Sequence, residues 1–288
     1  MLRPISEMAI QQIKALLPKR KKSSNKTTVG TSLIIGGGSG FYGAGLLAAL
    51  AATKSGSGYT HLLTDLTPLP WLKYPDFIMH PMKLNELKKL LAKVQFIDRF
   101  AIGIGPGMGI NLKNKQMLAS LIKQPNLKVV VDADALSILA KYKMYPLPTN
   151  WILTPHEGEL ARLLNCSSLE VKKDRKKALK QAVDQYQCTI LLKGACTLIA
   201  GPQKKKIQEV KAGTPALSKA GTGDVLLGMI TAFLAQGLSN SEAAYLGSFI
   251  HGSAARDWEN SGNDQLSLRP TDLIEQLPKT IFKIRYSI

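Results

Sequence analysis

Short, mainly apolar runs alternate with helical stretches from residue 31 to residue 260, and this alternation restricts what the chain can fold into more than any other property. The runs at 31–35, 59–64, 101–104, 129–131, 151–154 and 189–192 show little polar alternation, so each needs cover on both faces. Parallel sheets with crossover helices supply that cover, whereas antiparallel sheets commonly leave one face wet. An α/β fold is therefore expected, with a mainly parallel central sheet and helices on both faces. All 288 residues read as one domain, because no internal repeat, long linker or composition break calls for a second. Residues 1–28 read as an N-terminal helix and a basic linker: Ile5, Met8, Ala9, Ile13, Leu16 and Leu17 recur at helical spacing, and Pro18 ends the pattern.

Open α/β sheets bind ligands beyond the carboxyl ends of their strands, so chemistry is sought in the turns. The most informative is Ala220-Gly221-Thr222-Gly223, which runs into a long apolar helix closed by Gly237 at the position that favours a left-handed residue. Free amides at a helix N-terminus favour an anion. Asp224 beside such a pocket is placed to take a proton from a hydroxyl attacking a phosphoryl group. The competing reading is a loop ending in an Asp N-cap.

Other turns carry weaker signals. Gly38-x-Gly40-x-x-Gly43, with Asp65 at the end of the next strand, has the layout of a dinucleotide-binding fingerprint and makes a dehydrogenase a competitor. That reading gives no account of Gly221 to Asp224. Gly105-Pro-Gly107-Met-Gly109 is either a ligand turn or a tight connection. Asp132 and Asp134 could meet a metal or a substrate hydroxyl, or Asp134 could cap the helix at 135–141. His156 and Glu159 could face one crevice, but a capping arrangement is the commoner cause, and two residues fall short of a three-ligand metal motif. Lys193 and Thr197, around a glycine turn, could reach phosphates or an adenosine; a bare hairpin with its tip at 202–206 is the alternative. Four prolines, Pro68, Pro70, Pro75 and Pro81, signal irregular chain. Ser239 and Glu242 have capping-box spacing and open a helix whose small residues permit close packing, while Asp272 reads as the N-cap of a final helix to Leu277.

The 38 Lys and Arg against 20 Asp and Glu give a formal charge of +18, a field that steers anionic ligands. The basic runs lack interleaved aromatics and no nucleic-acid-binding signature occurs, so no nucleic-acid partner is expected. Cys166, Cys188 and Cys196 are odd in number and lack CxxC spacing, which argues for a reducing compartment without a disulfide framework. Polar residues interrupt the first 17 positions, and no run of 18 apolar residues follows. A cytoplasmic protein without a membrane partner is expected.

Read in order, the turns resemble the ADP- or ATP-dependent NAD(P)H-hydrate dehydratases, a branch of the ribokinase-like superfamily. The matching pieces are Leu17-Pro-Lys-Arg with Lys26, Gly36-Gly with Tyr42-Gly-Ala44, Gly103-x-Gly-Pro-Gly-x-Gly109, Asp132-Ala-Asp-Ala-Leu136, Leu153-Thr-Pro-His-x-Gly-Glu159, Leu192-Lys-Gly-Ala195 with Thr197, Gly221-Thr-Gly-Asp-Val-Leu226, Ala235-Gln-Gly237, and His251-Gly. The resemblance implies a ribokinase-like fold and the dehydration of hydrated NADH or NADPH at the expense of ADP or ATP, with Mg²⁺. By it, Asp224 is the catalytic base, and the amides of Gly221, Thr222 and Gly223 form the anion hole. Lys193, Gly194, Ala195, Cys196, Thr197 and Gly223 hold the adenine nucleotide; Ala44, Gly107 or Gly109, His156 and Asp224 line the dinucleotide site. Glu159 holds the water shell of Mg²⁺, and a homotetramer is implied. The accompanying epimerase domain of some members is not expected within 288 residues. Departures from the family pattern are Gly213-Thr-Pro-Ala-Leu-Ser218, which loses an amide side chain, Thr222 for Ser, Thr27 for Gly, Glu157 for Pro, and Ser137 for Asn. The rivals are a ribokinase-like kinase of a small alcohol such as a vitamin precursor, and a degenerate paralogue that binds nucleotide or another acidic partner without turnover.

Overall fold

The computed structural model describes residues 7–65, 76–94, 99–202 and 206–286. Ile5, Pro68, Pro70, Pro75 and most of the tip at 202–206 lie outside them. In chain order the elements are α1 (Glu7–Leu16), α2 (Lys26–Val29), β1 (Thr31–Ile35), α3 (Tyr42–Lys54), β2 (Tyr59–Thr64), β3 (Ile78–Pro81), α4 (Leu84–Val94), β4 (Phe100–Ile104), α5 (Leu112–Ile122), β5 (Lys128–Val131), α6 (Ala133–Lys141), β6 (Trp151–Leu153), α7 (Glu157–Leu164), α8 (Ser168–Lys173), α9 (Arg175–Tyr186), β7 (Thr189–Leu192), β8 (Thr197–Ala200), β9 (Gln208–Val210), α10 (Thr222–Ala235), α11 (Asn240–Asn260) and α12 (Pro270–Tyr286), with a 3-10 turn at Pro215–Leu217.

The nine strands form one sheet in the order β3-β2-β1-β4-β5-β6-β7-β8-β9, parallel through β7 and antiparallel at β8 and β9. Successive strand residues feed opposite cores, as the pleat requires. Ile34, Ala101, Val130 and Ile152 pack with α3, α10, α11 and α12, whereas Leu33, Ile35, Ile104 and Val131 pack with helices α4 to α9. The mainly parallel α/β expectation therefore holds. Register aligns Ile35 with Ile104, Ile104 with Val131, Val131 with Leu153, and Leu153 with Ile190, so the turns after these strands open at one edge of the sheet.

Helix α10 is apolar almost all round because it is buried between α3, α11 and the sheet. Its closest approach is at Gly228, where a Cβ would stand 2.1 Å from the Ala48 carbonyl oxygen.

Three expectations need correction. Pro81 ends an ordered edge strand, β3, rather than marking irregular chain; at the last residue of an edge strand the missing N–H costs no ladder bond. The final helix continues past Leu277 to Tyr286 with Pro278 inside it, because Leu273, Ile274, Leu277, Thr280 and Ile284 keep one face buried. Asp272 is not that helix's N-cap but its third residue, accepting from the Arg269 amide at 2.9 Å. Among the described residues no helix is long and apolar enough to cross a membrane.

Gly228→Val should lower stability by about 1–3 kcal/mol, the usual cost of overpacking, seen as a reduced thermal midpoint. Gly43→Ala, which meets nothing within 4 Å, should leave the midpoint unchanged or raise it.

Candidate active site

A cavity of about 720 Å³ opens where β5, β6 and β7 end, walled by the 3-10 turn at Pro215–Leu217 and the N-terminus of α10. At that N-terminus Gly221 is the N-cap with φ of 93°, a left-handed conformation open to glycine. A Cβ there would also meet Pro270 Cγ at 2.8 Å. Thr222 and Gly223 are the first two helical residues and Asp224 the third, so the reading of Asp224 as a mere N-cap is overturned. No side chain caps this helix, and Gly221 to Asp224 line the cavity, with the Thr222 amide donating to the Lys219 carbonyl at 3.3 Å. The Thr222 hydroxyl donates to the carbonyls of Leu217 and Lys219, each at 2.8 Å, and fixes the turn.

Opposite stands Lys193 at the end of β7. Its ammonium lies 2.7 Å from Asp132 Oδ1 and 3.7 Å from Glu159 Oε2. Burial opposes its charge, but Asp132, Glu159 and Asp224 together outweigh that and raise its pKa. Asp132 is likewise pushed up by burial and by Glu159, against the pull of Lys193. Asp224 is raised to about 7, first by burial and then by the negative charge of Asp132, with Lys193 opposing and Asp134 adding. A carboxyl half ionised at neutral pH, in the first turn of a helix with no side-chain cap, can accept a proton from an alcohol in this cavity. Behind it, buried His251 is lowered to about 4; it stays neutral at physiological pH and donates Nε2–H to the Thr222 carbonyl at 2.9 Å.

His156, Glu159, Lys193, Gly194, Ala195, Thr197 and Gly221 to Asp224 all line this cavity. His156 and Glu159 form a capping box on α7: His156 Nδ1 accepts from Gly158 and Glu159 amides, and Glu159 Oε2 accepts from the His156 amide at 2.8 Å. Cys196 stands apart, its thiol 4.0 Å from Glu209. Ala44, Gly107 and Gly109 lie beyond the cavity wall at the next turns. A Cβ on Gly107 would touch Ala44 Cβ at 3.3 Å, and the Gly109 amide donates to Asp134 Oδ2 at 2.8 Å. Asp134 is thus bound to a turn rather than capping α6, whose N-cap is Asp132.

The glycine fingerprint at 38–43 has a different cause from the one its spacing suggests. Gly37 and Gly38 donate their amides to the carbonyls of Pro106 and Gly107 at 2.8 and 2.7 Å, so the two glycine turns are zipped together and those donors are spent. A Cβ on Gly38 would stand 2.9 Å from the Gly107 oxygen. Asp65 pairs with Lys113 at 3.2 Å at the surface. At Gly38 the dinucleotide-fingerprint reading loses its physical basis, while Gly40 and Gly43 meet nothing within 4 Å. Sequence reasoning gave no role to His251, Lys219 or Thr214, which also line the cavity. The signals available were the short step from Lys219 to Gly221, and the places of Thr214 and His251 in segments that depart from or match the family pattern.

A family model described as NAD(P)H-hydrate dehydratase matches residues 32–279. A bifunctional NAD(P)H-hydrate repair enzyme Nnr of Coxiella burnetii is 36% identical over 265 residues, covering 91% of this chain and 52% of that protein. The chain thus spans about half the length of the bifunctional relatives it matches. The solved ADP/ATP-dependent NAD(P)H-hydrate dehydratase of Bacillus subtilis, co-crystallized with ATP/Mg²⁺, has TM-score 0.82 and 30% identity, covering 96% of this chain and 97% of that one. A ribokinase-like superfamily protein of Enterococcus faecalis, 23% identical with TM-score 0.84, covers 98% and 99% and shares the ribokinase-like fold.

In a carboxyl-detected NMR titration Asp224 should show a midpoint near 7. Asp132→Asn should move that midpoint down, because it deletes a neighbouring negative charge and frees Lys193. A wild-type midpoint at about 4, the value of a solvated carboxyl, would contradict the electrostatics described.

Proposed function

Since this chain belongs to the NAD(P)H-hydrate dehydratase family, we propose that it returns hydrated NADH and NADPH to the reduced coenzymes, using ADP or ATP as phosphoryl donor. The observation that carries this reading is Asp224, held near neutrality at the uncapped N-terminus of α10.

The hydroxyl that hydration leaves on the nicotinamide ring is a poor leaving group. Asp224 takes its proton, and the ring oxygen attacks the terminal phosphorus, forming one O–P bond as the bond to the nucleotide breaks. The amides of Gly221, Thr222 and Gly223 are assigned to the charge on the phosphoryl oxygens, with Thr222 giving up its 3.3 Å bond to the Lys219 carbonyl to do so, and the helix dipole adds to them. The ring nitrogen then supplies the electron pair that expels phosphate, and loss of a proton from the neighbouring carbon completes the restored double bond. Lys193, Gly194, Ala195, Cys196, Thr197 and Gly223 are assigned to the nucleotide, with Cys196 contributing through its backbone. Ala44, Gly107 or Gly109, His156 and Asp224 are assigned to the hydrated dinucleotide.

Among the described residues no group of three or more His, Cys, Asp or Glu could enclose a metal. Mg²⁺ commonly needs only one or two carboxylates besides phosphates and water, so the residues present fit an ion that arrives with the nucleotide. Glu159 would hold it through water with the oxygen not bonded to the His156 amide. Such an ion supplies neutralising charge to the phosphates. This reading extends to a cytoplasmic setting and a homotetramer.

Asp224→Asn should cost about 10²- to 10⁴-fold in turnover, the usual share of a general base, while the protein stays folded. The assay follows recovery of reduced-coenzyme absorbance from hydrated NADH with ADP and with ATP. In the wild type kcat/KM should fall about tenfold per pH unit below a limb near 7, because only ionised Asp224 accepts the proton. Near-normal turnover by the Asn variant would refute the assignment.

A further inference from the structure

Arg175 stands where helix energetics disfavour it. It is the first residue of α9, and a cation at a helix N-terminus opposes the dipole. Asp174, the N-cap, accepts from the Lys177 amide at 2.9 Å and caps the helix unaided. The guanidinium leaves the helix and runs under the turn between β7 and β8. Nη1 donates to the Cys196 carbonyl at 2.7 Å, and Nη2 reaches the carbonyls of Lys193 at 3.1 Å and Leu192 at 3.4 Å. A trans peptide points its N–H opposite to the preceding C=O, so the amides of Gly194 and Thr197 are turned away from the guanidinium. Gly194 is glycine for a matching reason: its Cβ would stand 2.5 Å from Nη2.

The guanidinium is itself held. Its Nε faces Glu157 Oε1 at 3.0 Å as an ion pair rather than an aligned hydrogen bond. Glu157 opens α7 beside His156, so this pair joins the wall of the cavity that carries His156 and Glu159 to the wall that carries Lys193 to Thr197. The backbone repeats the link, with the Lys193 amide donating to the Pro155 carbonyl at 2.8 Å.

We propose that Arg175, anchored by Glu157, is the positioning residue of the nucleotide turn: it holds the backbone of residues 192–196 in the form that receives the adenine nucleotide and sets that wall against the His156 wall. This rests on the adenine-nucleotide reading above for the ligand, and on geometry alone for the turn.

The test compares wild type with Arg175→Ala, Arg175→Lys and Glu157→Gln. Hydrogen exchange of the Lys193 amide, which is bonded to the Pro155 carbonyl, needs no ligand; it should quicken about tenfold or more in Arg175→Ala, since even one lost charge-assisted bond is worth that much. Calorimetric binding of ADP and of ATP should weaken by about tenfold or more. The kcat at saturating nucleotide should stay within about threefold. Arg175→Lys should lie between, because a point charge cannot serve three carbonyls, and Glu157→Gln should show a smaller change in the same direction. Exchange and nucleotide affinity within about twofold of wild type in Arg175→Ala would overturn the proposal, as would faster exchange spread evenly over the protein. If wild type binds neither nucleotide, the ligand assignment falls with the functional reading, and local exchange still decides whether Arg175 holds the turn.

Discussion

One ammonium group serves three carboxylates at the wall of this cavity, and most of what is distinctive about it follows from that shortage of positive charge. Lys193 touches Asp132 and approaches Glu159, leaving Asp224 within its field but without its contact. Burial and the Asp132 charge then push Asp224 up to about 7. A carboxyl whose folded-state pKa lies above its unfolded value of 3.8 binds its proton more tightly in the native protein. Its contribution to stability is complete below about pH 4 and is lost as pH rises through about 7. The fold therefore carries Asp224 as a destabilising group at neutral pH, a pattern expected where a residue is kept for chemistry rather than for packing.

The sheet topology explains why these charges meet. The chain leaves β1 toward β2 and β3, then returns on the other side at β4, so the turns after β1 and β4 sit side by side at the reversal. There the backbone of Gly37 and Gly38 bonds that of Pro106 and Gly107, closing the crevice with protein. The open space is displaced to the ends of β5, β6 and β7. Three helices begin there, and they use their termini differently. α7 is capped by its own His156 and Glu159, while Asp132 at the start of α6 gives its side chain to Lys193 instead of the helix amides. Ala133, which follows, takes φ of 50°, an uncommon conformation for a residue with a β-carbon. α10 alone combines a glycine N-cap with a first-turn acid.

How much of this was legible in the sequence depended on whether the signal was local. Strand runs such as Val129-Val-Val131 and caps such as Ser239 with Glu242 are written in neighbouring residues, and they appear as read. Gly221 was legible as part of a small-residue turn that runs straight into a long apolar stretch. By contrast, Gly38 satisfies a ligand-binding spacing while its real constraint is the backbone of residue 107, far along the chain. Arg175 sits in a basic run that reads as solvated surface, yet it is spent on three carbonyls of a distant turn. Asp134 and Gly109, 25 positions apart, are joined by a bond that no spacing rule anticipates. Pro278 was passed over for a similar reason: helix propensity argued against it, and burial of Leu277 and Ile284 overrode the propensity.

The segment at 213–218 forms one wall of the cavity and is held from behind by α11. The Thr214 hydroxyl donates to Glu259 on α11 and accepts from the Ala216 amide at 3.3 Å, so it caps the 3-10 turn and ties it to the helix behind. Arg256 on the same helix donates to the carbonyls of Lys211 and Gly213, at 2.8 and 3.4 Å. Gly252 lets the two pieces of backbone close, since a Cβ there would stand 2.5 Å from Ala212. That wall of the cavity is thus held from behind by α11 before any ligand arrives. A preset wall spends no binding energy on ordering itself.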